Sequence, residues 1–284
     1  MKVGCTGNFN KINFYNILDR LVLFFDNIDH ELILDSKIPL QKDYNINKKD
    51  LETIVSKCDF LITIGGDGTI LSTLRKIKNH IIPIFGIHIG GLGFLAQTNS
   101  QDFIKSLKEI FMNNYSFVDR MLLKTTINGN NKQTFYALND IVIDHGNSPR
   151  ILESIVSISG KHLNKYKSDG IILCTPLGST AYSLSAGGPI VTPWLDVILL
   201  TPICPHSLSA RPILLPSDDI VLIEFDEEQI GMKITIDGQV SFEIDYTTKI
   251  EISKAKNNVR FIKLNNSDYY DTLRSKMGWS GNVR

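Results

Sequence analysis

The chain of 284 residues carries 30 Lys plus Arg against 30 Asp plus Glu, with 43% hydrophobic and 21% charged residues. That is the make-up of an ordinary globular protein of one large or two smaller domains. A neutral balance argues against a nucleic-acid partner, which calls for a basic excess. No apolar run approaches the roughly 18 residues of a spanning helix, so no membrane partner is expected either.

Met1 to Gly7 is strand-like, without the charged head and apolar stretch of a secretory signal. Ile17, Leu18, Leu21, Phe24 and Phe25 follow at helical spacing. Glu31 to Leu34 is strand-like, and Asp50 to Lys57 is a short helix with Leu51, Ile54 and Val55 on one side. Phe60 to Ile64 is a short apolar strand ended by glycines, and Ile70, Leu71, Leu74 and Ile77 mark the next helix. The run Ile81 to Ile87, cut by Pro83, leads into a second glycine cluster. Strands alternating with short helices predict βαβ units around a parallel sheet.

From about residue 115 the period changes. Met121 to Ile127 ends at Asn128-Gly129, a hairpin signal. Thr134 to Asp144, Ile151 to Ser159, Lys161 to Lys167 and Ile171 to Thr175 are strand-like. So are Ile220 to Phe225, Met232 to Asp237, Phe242 to Tyr246 and Lys249 to Ser253. This predicts an all-β domain built as a sandwich. Helical spacing returns at Tyr269 to Met277. The expected division is a Rossmann-like α/β domain over 1–114, a β-sandwich over 115–265, and a tail over 266–284 whose helix packs back on the first domain. Cys5, Cys58, Cys174 and Cys204 lie far apart with no Cys-x-x-Cys pair. They are expected to be reduced thiols in a cytoplasmic protein, and no metal-ligating residue is assigned.

The chemistry concentrates in two places. Gly65-Gly66-Asp67-Gly68-Thr69 joins a buried strand to a helix, at the strand end where open α/β sheets bind ligands. Glycines let backbone approach a phosphate, and a helix start offers N–H groups to an anion. A carboxylate there is suited to accept the proton of an attacking hydroxyl. A tight turn in which Asp67 only caps the helix is the alternative. No Walker-type loop occurs anywhere in the sequence. Gly90-Gly91-Leu92-Gly93-Phe94-Leu95-Ala96 contains a Gly-x-Gly-x-x-Ala pattern without its downstream acid, so a close-packed turn is the plainer reading.

The second place is the run from Asp169 through the Pro176-Leu177-Gly178-Ser179-Thr180 turn to Tyr182. Its hydroxyls and N–H groups suit ribose, amide or base edges, and Tyr182 suits a planar ring. Asn139-Asp140 interrupts a strand and could hold a ribose diol, a strand edge or bulge being the alternative. Lys161, Lys165, Lys167 and Asp169 share one parity, a small basic stripe suited to a diphosphate or simply a solvated face.

Together these segments resemble the NAD kinase family. The matching residues are Gly65 to Thr69, Gly90 to Ala96, Asn139-Asp140, Ser168-Asp169-Gly170, Thr175 to Tyr182, Ser185 to Pro189 and Asp237-Gly238-Gln239, in the family's order. The resemblance implies transfer of the terminal phosphoryl of ATP to the 2′-hydroxyl of the adenosine ribose of NAD, giving NADP. It implies Asp67 as proton acceptor, with Gly68 lining the same pocket. It implies a dinucleotide held by Asn139, Asp140, Arg150, Lys167, Asp169, Leu177, Gly178, Ser179, Thr180, Ala181, Tyr182, Ser185 and Gln239. A divalent cation, Mg2+, and a homotetramer or homodimer are further implications. Asp140 stands where many members have Glu, and Leu177 where many have Thr. A lipid kinase sharing the glycine loop and a dinucleotide sensor without activity are the rival readings; the polar Asn139-Asp140 and Gly178-Ser179-Thr180 speak against the first, Asp67 against the second.

Overall fold

In the computed structural model, residues 1–77, 81–90, 93–129, 132–148, 150–226, 229–265 and 268–279 are described. In chain order the first stretch holds β1 (Lys2–Gly7), α1 (Phe14–Phe25), β2 (Glu31–Asp35), β3 (Asn47–Lys49), α2 (Leu51–Lys57) and β4 (Phe60–Gly65). It continues with α3 (Asp67–Ile77), β5 (Ile84–His88), β6 (Thr98–Asn99), α4 (Phe103–Phe111) and β7 (Tyr115–Arg120). The middle stretch holds β8 (Leu123–Asn128), β9 (Gln133–Ala137), β10 (Asp140–Asp144), β11 (Leu152–Ile158), β12 (Lys161–Ser168) and β13 (Gly170–Cys174). A 3-10 turn (Leu177–Thr180) and α5 (Tyr182–Ser185) follow, then β14 (Val197–Ile203), β15 (Ile213–Pro216), β16 (Val221–Phe225), β17 (Met232–Ile236), β18 (Val240–Ile244) and β19 (Lys249–Lys254). The chain ends with β20 (Val259–Leu264) and α6 (Tyr269–Met277).

Two compact units result: Met1–Asp119 with Val259–Arg284, and Arg120–Asn258. The expected boundaries were 114/115 and 265/266, so the structure moves β7 and β20 into the first unit. Of the expected tail, Asn266, Ser267 and 280–284 lie outside the described residues.

The first unit is an eight-stranded sheet of order β3-β2-β1-β4-β5-β20-β7, with β6 beside β5. The pairs β1–β2, β1–β4, β2–β3, β4–β5 and β5–β20 are parallel. Its inner strands β1, β2, β4 and β5 are largely buried on both faces, β4 along its whole length, as a sheet covered by helices requires, while β3 and β7 are partly exposed. Phe14, Ile17, Leu18 and Leu21 of α1 and Phe103, Leu107 and Ile110 of α4 join the strand residues in one core, while α2 and α3 pack against each other and on β1 and β4. Asp50 caps α2, its carboxylate accepting the Thr53 N–H at 2.9 Å. β5 begins after Pro83 instead of at Ile81, since proline offers no N–H to a sheet ladder.

The second unit is a sandwich of two antiparallel six-stranded sheets, β15-β14-β13-β10-β17-β18 and β12-β11-β16-β19-β8-β9. Alternate residues of both, including Ile141, Ile143, Leu173, Ile234, Leu123, Val156, Ile223 and Ile250, close one core. The single strand expected over Thr134 to Asp144 is two strands in different sheets, β9 and β10, with Leu138 and Asn139 as the crossing.

Candidate active site

In the first unit the chain runs outward from β1 in one direction through β2 and β3 and in the other through β4 and β5. Ligands of open parallel sheets bind at the carboxyl ends of strands beside such a reversal. β4 delivers Gly65 to that edge and α3 starts at Asp67. The Asp67 carboxylate does not turn back to its own helix. Its Oδ2 accepts the Phe94 N–H at 2.9 Å and its Oδ1 accepts the Leu95 N–H at 3.2 Å. Both donors belong to the second glycine cluster, so two motifs that look separate in sequence form one device that aims a carboxylate. Gly93 is part of it, because a Cβ there would stand 2.1 Å from Asp67 Oδ1. The helix-cap alternative for Asp67 does not describe this geometry. An ionised carboxylate has about four acceptor sites, so those not used by Phe94 and Leu95 remain for a substrate hydroxyl. Gly68 is exposed next to it. Gly91 and Leu92 lie outside the described residues.

The second unit has an open cavity of about 370 Å3 whose walls include Asn139, Asp140, Asp144, Ala181, Tyr182, Asp237 and Gly238. It thereby gathers four expected binding residues, Asn139, Asp140, Ala181 and Tyr182. The backbone at Asn139 is clamped from two sides. On one side the Asp237 carboxylate accepts the N–H groups of Leu138 at 3.1 Å, Asn139 at 2.7 Å and Asp140 at 3.2 Å. On the other, the Thr175 N–H donates to the Asn139 carbonyl at 2.9 Å and the Thr175 hydroxyl to the Leu138 carbonyl at 2.6 Å. Gly178 packs so closely here that a Cβ would meet the Asn139 carbonyl oxygen at 2.1 Å.

Asp140 is 4% exposed. Burial above all, then the neighbouring Asp237 charge, push its pKa up to about 7, although the Tyr182 backbone N–H works the other way. Tyr182 lines the cavity and is 47% exposed. Its phenol is raised by partial burial and by the charges of Asp144, Cys204, Asp169 and Asp140, which places Asp169 electrostatically with this group.

The other expected residues take different positions. Ser179 is fully buried; its hydroxyl donates to the Pro176 carbonyl at 2.6 Å and accepts the Val191 N–H at 2.9 Å. The Thr180 hydroxyl donates to the Leu177 carbonyl at 3.2 Å. These two hydroxyls therefore brace the turn. The Leu177 side chain is buried and outside the cavity lining. Ser185 and Gln239 are exposed, the latter in the turn between β17 and β18. Arg150 is exposed in the connection from β10 to β11, its N–H donating to the Ser148 hydroxyl at 3.2 Å.

The basic stripe is not as expected. Lys167 pairs with Glu153 at 2.7 Å, and Lys165 with Glu153 at 2.9 Å and Asp226 at 2.6 Å. A bulge also breaks the parity argument: Val156 pairs with Asn164 but Ser157 with His162. Leu163 is the extra residue, and Lys161 falls on the opposite face from Lys165 and Lys167.

Sequence reasoning assigned no role to Asp144 or to the Asp237 carboxylate. The signal for Asp237 was its place before Gly238 in a hairpin turn: Asp237 has φ 49° and Gly238 φ 62°, a conformation Asp tolerates. Two other hollows, about 480 and 580 Å3, contain none of the expected residues. Among the described residues no group of three or more His, Cys, Asp or Glu is placed to hold a metal ion, and no helix is long and apolar enough to cross a membrane. An ion carried on nucleotide phosphates needs only one or two protein oxygens.

A parallel sheet with a backbone-held carboxylate in a glycine-rich loop at its edge, in a chain that also forms a β-sandwich with a cavity lined in part by carboxylates, is the framework of a nucleotide-dependent phosphotransferase. Residues 27–115 match the ATP-NAD kinase N-terminal domain and residues 138–264 the ATP-NAD kinase C-terminal domain. The NAD kinase of Caldanaerobacter subterraneus subsp. tengcongensis is 38% identical over 97% of this chain and 98% of its own length. That of Clostridium botulinum is 40% identical over 98% of this chain and 96% of its own. The yeast NADH kinase solved with NADH superimposes with a TM-score of 0.91 at 27% identity, covering 100% of this chain and 89% of that one. The chain belongs to the NAD kinase family.

Proposed function

We propose that the protein transfers the terminal phosphoryl group of ATP to the 2′-hydroxyl of the adenosine ribose of NAD, yielding NADP and ADP. The 2′-oxygen forms the new bond to the γ-phosphorus, the bond from that phosphorus to the β–γ bridging oxygen breaks, and ADP departs with the electron pair. Asp67 accepts the hydroxyl proton. The observation that carries this reading is the Asp67 carboxylate held by the Phe94 and Leu95 N–H groups, in a chain of this family. Fixing the base before substrate arrives removes an orientational cost from the barrier.

Asn139, Asp140, Ala181 and Tyr182 are the proposed contacts of the dinucleotide, since they line one cavity. Arg150, Lys167, Asp169, Leu177, Ser185 and Gln239 retain the roles the family resemblance implies. Ser179, Thr180 and Gly178 act by shaping the turn that carries Ala181 and Tyr182. The divalent cation, Mg2+, enters as part of the ATP substrate. The enzyme is proposed to work in the cytoplasm, in keeping with free thiols at Cys5, Cys58, Cys174 and Cys204. It is proposed to assemble as a homotetramer or homodimer, for which exposed Trp194, Leu195, Leu208 and Leu214 offer apolar surface; light scattering on the purified protein checks this.

The test of the reaction is a coupled assay for NADP after mixing the protein with NAD, ATP and Mg2+. Asp67→Asn should lose on the order of 10²–10⁴-fold in turnover while binding NAD within a few-fold of wild type. A variant that kept near wild-type turnover would refute the role given to Asp67.

A further inference from the structure

β4 and β5 lie side by side, and their last pairing sets Gly65 opposite His88. The two chain segments leave the sheet together, one into Gly66-Asp67-Gly68 and the other into Ile89-Gly90. The imidazole of His88 stands between these turns. A Cβ added at Gly66 would lie 3.3 Å from its Nε2, and one added at Gly90 3.6 Å from its Cε1. Nδ1 is committed, because it accepts the Gly90 N–H at 2.9 Å. In the neutral ring an acceptor Nδ1 puts the proton on Nε2. Among the described residues Nε2 has no protein partner.

Part of the backbone at this edge is already committed. The Thr69 and Ile70 N–H groups turn back to the Gly66 carbonyl at 2.8 and 3.2 Å. The Phe94 and Leu95 N–H groups are held by Asp67, whose charge repels phosphate. A side-chain donor at this edge adds to the N–H groups of the helix start, and His88 presents one with its orientation already set. Taking the Gly65–Thr69 loop as the phosphate end of the reaction proposed above, we infer that the Nε2–H of His88 donates to a phosphate oxygen of the donor nucleotide. His88 is an anion-positioning residue that the motif reading passed over.

The experiment compares wild type, His88→Ala, which removes the donor, and His88→Gln, which keeps an N–H at similar reach. Each is titrated calorimetrically with ATP plus Mg2+, with inorganic tripolyphosphate, and with NAD. The Ala variant should bind ATP and tripolyphosphate about 10- to 100-fold more weakly, the range for a hydrogen bond to a charged group. NAD affinity should stay within twofold, and the Gln variant should recover most of the loss. Unchanged ATP and tripolyphosphate affinity in the Ala variant overturns the inference. So does failure of wild type to bind tripolyphosphate. Parallel losses for ATP and NAD in both variants make His88 a structural residue and overturn it too. Absence of NADP formation by wild type would refute the proposed function instead, and the tripolyphosphate titrations would still decide the role of His88.

Discussion

Replacing Asp140 by asparagine removes a carboxyl group that the folded chain holds at a cost. The side chain is 4% exposed, and burial, followed by the Asp237 charge, raises its pKa from 3.8 to about 7. A carboxyl with a higher pKa folded than unfolded binds more protons in the folded state between those values. Stability therefore falls as pH rises from about 4 to about 7, and the loss persists above. At about 1.4 kcal/mol per pH unit, the full loss is on the order of 4 kcal/mol, and water entering the cavity reduces it. Asparagine has no charge to bury, and its side-chain oxygen can still accept the Tyr182 N–H. Urea unfolding at pH 5 and pH 8 reads the effect directly. The stability gap in favour of Asp140→Asn should widen by about 3 kcal/mol between those pH values, while affinity for NAD falls. A gap of equal size at both pH values would show that Asp140 is not a strained charge, and the argument would fail.

The remaining predictions concern groups that hold the site in place. Gly93→Ala should drive the Asp67 carboxylate from its seat, since the new Cβ would lie 2.1 Å from Oδ1; kcat should fall as far as in Asp67→Asn while NAD titrations stay near wild type. Asp237→Asn replaces a charged acceptor of three N–H groups by a neutral one. It should cost about 2–3 kcal/mol in urea unfolding, raise KM for NAD, and reduce without abolishing the pH dependence assigned to Asp140, because its charged neighbour is gone while its burial remains.

Local pattern carried much of this molecule. The apolar runs at Phe60–Ile64 and the helical spacing from Ile70 to Ile77 are short-range signals, and they place Asp67 between a strand end and a helix start. The switch to alternating strands near residue 115 and the Asn128-Gly129 turn announce the sandwich, and β8 and β9 pair across that turn. The spacing of Phe103, Leu107 and Ile110 was equally available for α4, although the sequence reading assigns no element there. β14 was obscured by Pro202. The structure tolerates it because β15 pairs only with Val197 to Leu200, so Pro202 needs no ladder partner on that side.

Sequence by itself determined which residue types could do phosphoryl transfer, because the glycine-carboxylate loop and the Asn-Asp pair are contiguous words. Tertiary structure alone decided what holds them. Asp67 is oriented by backbone N–H groups 27 and 28 residues away, and the Asn139 backbone by a carboxylate 98 residues away. β20 falls within the stretch expected to form the sandwich, yet it joins the parallel sheet beside β5. Such choices rest on nonlocal pairing and on where a buried charge or backbone donor finds its partner, and no window of neighbouring residues contains that information.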